Sequence, residues 1–426
     1  MSLQTAPPET ELTCEYRGKK APLFRVVLLN AFLTVLTLGF YRFWAKTRVR
    51  RYFWSATAPG GDPLEYTGNG VEKLLGFLIA VAFLAVYLGI FQLLLGFAGL
   101  SLFSGGTGAQ DKALQLLLAQ ATLLAIIPFV FYAQYRARRY ILSRTRWRGI
   151  RFGVDSAAWG YVWRAMGHWF LVILSLGLLL PRKTFWLEKY KIDRTWYGDA
   201  RFTQGGNWPM LYRAMRHIFL AVGLFVVGLS LMFLQGVVSM KALASGDALA
   251  AATFTLYVLP LFLLCSLWLS YGYVYYSVTS FRLLAEKKQL GDSVKFATAP
   301  GPWRIFWRYV FGMLLTLLCV SLVMILAAFV GSIFGYSNIN LDANITGALM
   351  TLDPLEIAYA VFVYLLIMGL FGVFMTIFIT QPILGHYVAK TRILNAEVLH
   401  DIEQRSRDEM VEAEGFADAL DVGAAI

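Results

Sequence analysis

"GIRFGVDSAAWGYVWRAMGH" (residues 149–168) and "GDARFTQGGNWPMLYRAMRH" (residues 198–217) are two versions of one pattern. Each runs from a glycine through a basic residue and a phenylalanine to a tryptophan, and an arginine follows that tryptophan five positions on. A third version, "GDSVKFATAPGPWRIFWR", occupies residues 291–308. The shorter "EYRG" (15–18) and "EYTG" (65–68) keep the aromatic residue and lack the tryptophan. Upstream of these lies a second recurring piece: "RRYFWSAT" (50–57), "RRYILSRT" (138–145), "EKYKIDRT" (188–195), "TSFRLLAE" (279–286) and "KTRILNAE" (390–397). Internal repetition of this kind has to be read before any fold is assigned. A short aromatic and aliphatic run, a turn bearing Gly or Asp, and a second run such as "RFG" or "VKF" have hairpin character. The expectation is four small β-hairpin-like modules. Pairing the lone second half "EYRG" with the lone first half "KTRILNAE" would complete a fifth.

What separates the modules is apolar. Of 426 residues, 58% are hydrophobic and 15% charged, which no water-soluble core of this length could hide. Several runs reach the roughly 20 residues that cross about 30 Å of hydrocarbon as a helix. None alternates strictly between polar and apolar residues, so helices are expected and an outer-membrane barrel is not. "MSLQTAPPETEL" lacks a basic region followed by an apolar one, so no cleaved signal peptide is read there.

Charge then orients the chain. Residues 136–164 carry eight basic side chains and one acidic, 182–216 eight and three, 278–308 six and two, and 41–73 six and three, whereas the last forty residues carry four basic and nine acidic. Basic residues flanking spans are retained in the cytoplasm, so all modules and both termini are assigned there. Positive charge beside spans, with no basic face free of the bilayer, argues against nucleic acid as a partner.

Modules on one face require each intervening segment to leave and return. The resulting order is an N-terminal segment (1–22), a short membrane helix (23–41), a basic module (42–72), a transmembrane pair (73–135), a second module (136–164), a second short helix (165–181), a third module (182–213), a second pair (214–277), a fourth module (278–303), a third pair (304–386) and an acidic tail (387–426). The fold class is a mainly α-helical membrane protein with about six transmembrane helices in three pairs. The segments at 23–41 and 168–181 are each long enough to cross only once. Re-entrant or interfacial helices bent at Leu38-Gly39 and Leu176-Gly177 are expected, and two further crossings are the alternative.

The stretch "NAFLTVLTLGFYRFWAKTRVRRYFWSAT" (30–57), followed by "GDPLEYTGNGVE", resembles the YjgN family of bacterial inner-membrane proteins through Asn30, the Leu-Thr-Leu-Gly run, Trp44-Ala45 and Arg51-Tyr52. The resemblance implies a bacterial inner-membrane location and similarity over residues 12 to about 400. It carries no activity, catalytic residue or ligand. It implies the company of a membrane-associated zinc metallopeptidase as a protein partner.

Chemistry-bearing groups are sparse. His168 and His217 each follow the motif arginine by four residues, but the third copy has Gly312 there, and only His386 and His400 remain. A metal site needs three or four ligands, so neither a metal nor any other cofactor is expected. Cys14, Cys265 and Cys319 are scattered, with neither a disulfide framework nor a zinc spacing. No phosphate-loop, zinc-hydrolase or nucleophile-elbow motif occurs, and an enzyme is not expected. Gln92, Gln120, Gln235 and Thr376 are the main polar groups inside the spans, and residues of this kind more commonly join helices. In the modules, Trp159, Trp208 and Trp303 with Arg164, Arg213 and Arg308 suit the membrane interface, where Arg holds phosphate head groups of the phospholipid bilayer. The reading is therefore a non-enzymatic inner-membrane scaffold or accessory protein whose cytoplasmic β-like platform binds a protein partner or anionic lipid. The alternative is a small-solute or lipid transporter or channel, with those four polar residues along its path.

Overall fold

The computed structural model describes residues 11–97, 109–244, 248–334 and 354–405. Within them the chain runs strand, helix, helix, strand five times. The first unit is β1 (Glu11–Tyr16), α1 (Lys20–Leu36), α2 (Arg42–Ser55) and β2 (Thr57–Pro59). The second is β3 (Glu65–Tyr66), α3 (Gly70–Phe97), α4 (Ala109–Ser143) and β4 (Thr145–Trp147). The third is β5 (Ile150–Val154), α5 (Ala158–Leu174), α6 (Leu180–Ile192) and β6 (Thr195–Tyr197). The fourth is β7 (Ala200–Gln204), α7 (Tyr212–Ala244), α8 (Ala248–Ala285) and β8 (Lys288–Leu290). In the fifth, β9 (Val294–Thr298) and α9 (Pro302–Ile333) are followed by α10 (Pro354–Met375), a π-turn (Thr376–Thr380), α11 (Gln381–Val388) and β10 (Thr391–Leu394).

The ten strands form one antiparallel sheet in the order β2-β1-β10-β9-β8-β7-β6-β5-β4-β3. The terminal strands are neighbours, with Leu12 opposite Ile393. β2 and β3 stand at the two ends of that order yet are consecutive in the chain, and the Leu64 N–H donates to the Thr57 carbonyl at 2.9 Å. The sheet thus curls back on itself. Its inner residues, Leu12, Trp147, Tyr197, Leu290, Val294 and Ile393, enclose a core completed by Ala396, Leu399 and Ile402 of the short segment that follows β10.

The recurring piece "RRYILSRT" is not a strand, as a hairpin reading would have it. Ala133, Ala137 and Tyr140 are all buried at helical spacing, so the last turns of α4 belong to a helix and the strand begins only at Thr145. The threonine is the junction. The hydroxyls of Thr57, Thr145, Thr195 and Thr391 donate to the carbonyls of Phe53, Ile141, Lys191 and Tyr387, four residues back at 2.8–2.9 Å. Each caps one of the last carbonyls of the ending helix, those of Ile141 and Tyr387 also accepting from the Arg144 and Lys390 N–H groups at 3.3 and 3.2 Å. The repeated "EYxG" has its own cause: a Cβ at Gly18 or Gly68 would collide with the ring of Tyr16 or Tyr66, two residues earlier.

Six helices are long and apolar enough to cross a membrane: α3, α4, α7 with its preceding turn, α8, α9, and α10 continued through α11. The sheet-side ends of these helices adjoin strands, so each long pair leaves the sheet and returns to it. The start of α3 and the end of α4 are clamped there by Glu72, which accepts from Tyr140 Oη at 2.9 Å and from Arg144 at 3.0 Å. The links within the three long pairs, at 98–108, 245–247 and 335–353, and the acidic tail beyond residue 405 lie outside the described residues.

The two short helix pairs reverse at their Leu-Gly dipeptides. Leu38, Gly39, Leu176 and Gly177 have φ of 50°, 96°, 49° and 89°. The Gly39 and Gly177 N–H groups reach back to Thr34 and Val172 carbonyls at 2.7 and 2.8 Å, the closure a helix makes when it ends in left-handed conformation. Both tips are apolar and bare, with Leu38 75% and Leu176 94% exposed. Since α5 and α6 return to the sheet, single cysteines at residues 62, 148, 199 and 292, in a chain freed of its native cysteines, should all label from one side. Opposite-sided labelling of 148 and 199 would mean that residues 168–181 cross the membrane.

Candidate functional site

α9 starts at Pro302, whose fixed φ suits a first helical turn, and the Gly301 N–H is held by His386 Nε2 of α11 at 3.1 Å. Its first two turns carry Trp303, Arg304, Trp307 and Arg308; the next two carry Phe311, Leu314, Leu315 and Leu318. Polar and apolar residues succeed one another along the helix because it passes from the sheet into the apolar layer. Lys20 at the start of α1, together with Phe378 and Pro382, closes these residues into a groove of about 690 Å³. Three cations, Lys20, Arg304 and Arg308, stand at its sheet end, and its lining includes no carboxylate. The far wall is Phe311, Leu315, Leu318 and Phe378. Arg308 Nη1 donates to the Pro382 carbonyl, which fixes the guanidinium at the head of the groove. The size lies within the range of small-molecule sites, and the division into a cationic head and an apolar wall matches an amphiphile.

A second groove, of about 710 Å³, opens between α4 and the α5–α6 pair. Ile127, Phe131, Phe170 and Ile173 form its apolar wall, and Gln134, Lys183, Glu188 and Lys191 its polar end. Lys183 Nζ sits 3.9 Å from the centre of the Trp169 ring, and Lys191 pairs with Glu188 at 2.7 Å. Burial and the neighbouring Lys191 bring Lys183 down to about 8. Its head is therefore of mixed charge, unlike that of the α9 groove.

The motif residues expected at the interface are dispersed. Trp303 and Arg308 share the α9 groove. Arg164 is turned onto its own helix, donating to the Gly160 carbonyl at 2.9 Å and lying over Tyr190. Trp159 is exposed and meets Tyr132, with ring centres 5.1 Å apart. Trp208 packs partly buried against the Phe185–Leu211–Leu284 cluster, while Arg213 is exposed. Among the polar span residues, Gln92 donates to Thr122 Oγ1 at 2.7 Å and joins α3 to α4. Thr376 donates to its own helix at Gly372, and Gln120 is exposed. The Gln235 side chain lies outside the described residues. Among the described residues, no hydrogen bond joins Gln92, Gln120 and Thr376 to one another. Lys20, Arg304 and Trp307 were missed in the sequence because Lys20 is remote from α9 and the other two sit inside the motif between its named positions. The Trp303-Arg304 and Trp307-Arg308 doublets, four apart on one helix face, were the available signal.

The sequence profile of a family described as "Bacterial protein of unknown function (DUF898)" matches residues 11–346. The "Inner membrane protein YjgN" of Salmonella typhimurium (strain LT2) is 27% identical over 153 residues, a match spanning 35% of this chain and 34% of that protein. The chain therefore aligns with about a third of that relative's length. No solved structure matches the chain.

Proposed function

Because the chain belongs to the DUF898 family of bacterial proteins and is a multi-pass inner-membrane protein, we propose that it is a non-enzymatic accessory protein that holds an anionic phospholipid at the edge of a cytoplasmic platform. The observation that carries this reading is the α9 groove, where Lys20, Arg304 and Arg308 head a trough walled by Phe311, Leu315 and Leu318. The cations receive the phosphate and the trough receives acyl chain. The two short helix pairs enter the interface from the platform side as re-entrant hairpins. Their exposed leucine tips, at Leu38 and Leu176, then lie in lipid, where they are stable and where water would not tolerate them. The curled sheet, continuous with all five helix pairs, presents the surface on which a membrane protein partner docks; the metallopeptidase implied by the family resemblance is the first to try.

Native mass spectrometry of the purified chain tests the lipid site. The wild-type protein should retain phosphatidylglycerol in preference to phosphatidylethanolamine. At about 1 kcal/mol per cation near the surface, Arg304→Gln with Arg308→Gln should lower that retention roughly 30-fold, and Leu315→Trp, which fills the trough, should do the same with the charges intact. Arg213→Gln should have no effect. Equal retention by wild type and both groove variants would rule the site out.

A further inference from the structure

A separate pocket lies on the sheet, away from both grooves. It encloses about 170 Å³ where the end of α4, the β4–β5 strands, β6 and the chain after β10 converge. Five of its lining side chains are arginines: Arg139, Arg144, Arg146, Arg151 and Arg405. Asp155 is the one lining carboxylate, and it is engaged by Trp196 Nε1 at 2.8 Å.

Comparison of the repeats shows what is unusual. At equivalent places across the tight turns, Trp196 opposes Arg201 and Gln289 opposes Lys295. In the β4–β5 pair, Arg146 opposes Arg151. The first arrangement stacks a cation on a ring at 5.2 Å and the second sets an amide beside an amine, but the third places two guanidinium groups side by side on one face. Like charges directly opposite in an antiparallel pair oppose folding. Glu65, the register partner of Arg146 on β3, forms no ion pair with it among the described residues, and Arg146 Nε is buried without a hydrogen bond there. Arg139 stands behind them at 8% exposure.

The pocket is also closed deliberately by a remote segment. Gln404 Oε1 accepts from the Arg151 N–H at 2.8 Å, Asp199 exchanges two hydrogen bonds with the Glu403 backbone, and Arg405 lies 4.7 Å over Trp196. A fifth arginine is thus delivered to a site that already had an excess of positive charge. We propose that this pocket binds a phosphate-bearing anion, with Arg146 and Arg151 forming the bidentate clamp that planar guanidinium groups make on phosphate oxygens. The site stands whether or not the α9 groove holds lipid. The phosphate comes from a soluble ester or from a lipid head group, and the two sources are separable.

The test uses the full chain, with thermal melting and calorimetric titration at constant ionic strength. In lipid-free detergent, inorganic phosphate should raise the melting temperature of the wild type where equal chloride does not. In nanodiscs, phosphatidylglycerol against phosphatidylcholine reports the lipid source. Stabilisation in the first arm assigns a soluble ester, and stabilisation in the second alone assigns a head group. In either case Arg146→Gln with Arg151→Gln should cut the affinity at least 30-fold, while Arg392→Gln, at the matching place on β10 but paired with Glu11 at 3.0 Å, should leave it unchanged. The melting temperature of the double variant without phosphate is the reference against which its response to phosphate is read. The proposal is overturned if neither phosphate source stabilises the wild type, or if the double variant responds as the wild type does.

Discussion

Gly312→His should abolish accumulation of the folded protein, although it restores at the third copy of the motif the residue that the first two copies carry as His168 and His217. A Cβ at Gly312 would come within 2.5 Å of Ile379 Cγ1 and 2.9 Å of the Phe378 carbonyl oxygen. Ile379 is a side chain and can yield by rotation. Phe378 offers backbone, held in the π-turn before Pro382, and cannot. Two effects compete in the smaller change Gly312→Ala. Helix propensity favours alanine by about 1 kcal/mol, and insertion of a methyl into a packed contact costs about 1–3 kcal/mol. The backbone clash places this site at the upper end, so Gly312→Ala should lose roughly 2 kcal/mol net, read as a lower melting temperature in detergent. The imidazole of Gly312→His exceeds what the contact can absorb. His168→Gly, in contrast, removes a partly exposed side chain and should cost less than about 1 kcal/mol. Equal melting of Gly312→His and wild type would show that α9 does not pack on the π-turn.

That contrast shows why one part of the fold was legible in the sequence and another was not. The pattern around Trp159, Trp208 and Trp303 marked where membrane helices leave the sheet, because interfacial aromatic residues and arginines act locally. Leu38-Gly39 and Leu176-Gly177 marked reversals for the same reason: glycine in left-handed conformation is a one-residue requirement. The divergence of the third copy at Gly312 was visible, but its cause lies some seventy residues away in Phe378. Strand order is equally non-local. β1 and β10 carry no mark of being neighbours beyond their incomplete motifs, and the seam of the sheet between β2 and β3 is marked by the backbone bond from Leu64 to Thr57. The helical character of "RRYILS" was hidden because Tyr, Ile and Leu suit strands as well as helices, and only the burial of Ala133, Ala137 and Tyr140 along one face decides between them. The α9 groove was half-read for a similar reason: Trp303 and Arg308 are motif positions, whereas Lys20 reaches them only through the packing of α1 on α10.

The clearest consequence of non-local assembly is expected at Gly198. Its φ of 57° already disfavours any side chain, and a Cβ there would collide with the Glu403 carbonyl oxygen and come within 2.7 Å of Ile402 Cγ2. Gly198→Val therefore cannot keep both the β6–β7 turn and the chain after β10 in place. The turn is held by the Gly198 N–H on the Arg151 carbonyl at 3.1 Å and by its two flanking strands, so the later segment is the part that yields. Its departure removes Leu399 and Ile402 from the core of the sheet. At about 1.5–3 kcal/mol for each fully buried aliphatic side chain, the loss is roughly 3–6 kcal/mol before the freed chain regains entropy. The expected result is selective: amide hydrogen exchange of residues 396–405 rises by orders of magnitude, while the six long helices keep their protection. Protease should cut first within the same segment. Gln404 and Arg405 leave with it, opening the arginine pocket on one side. Gly291→Val provides the comparison, since it shares the φ of 57° but has open space around the added carbon, so it tests turn strain alone. If both variants release residues 396–405 equally, turn strain and not the collision with Glu403 governs the latch; if neither does, the segment is not held by the sheet at all.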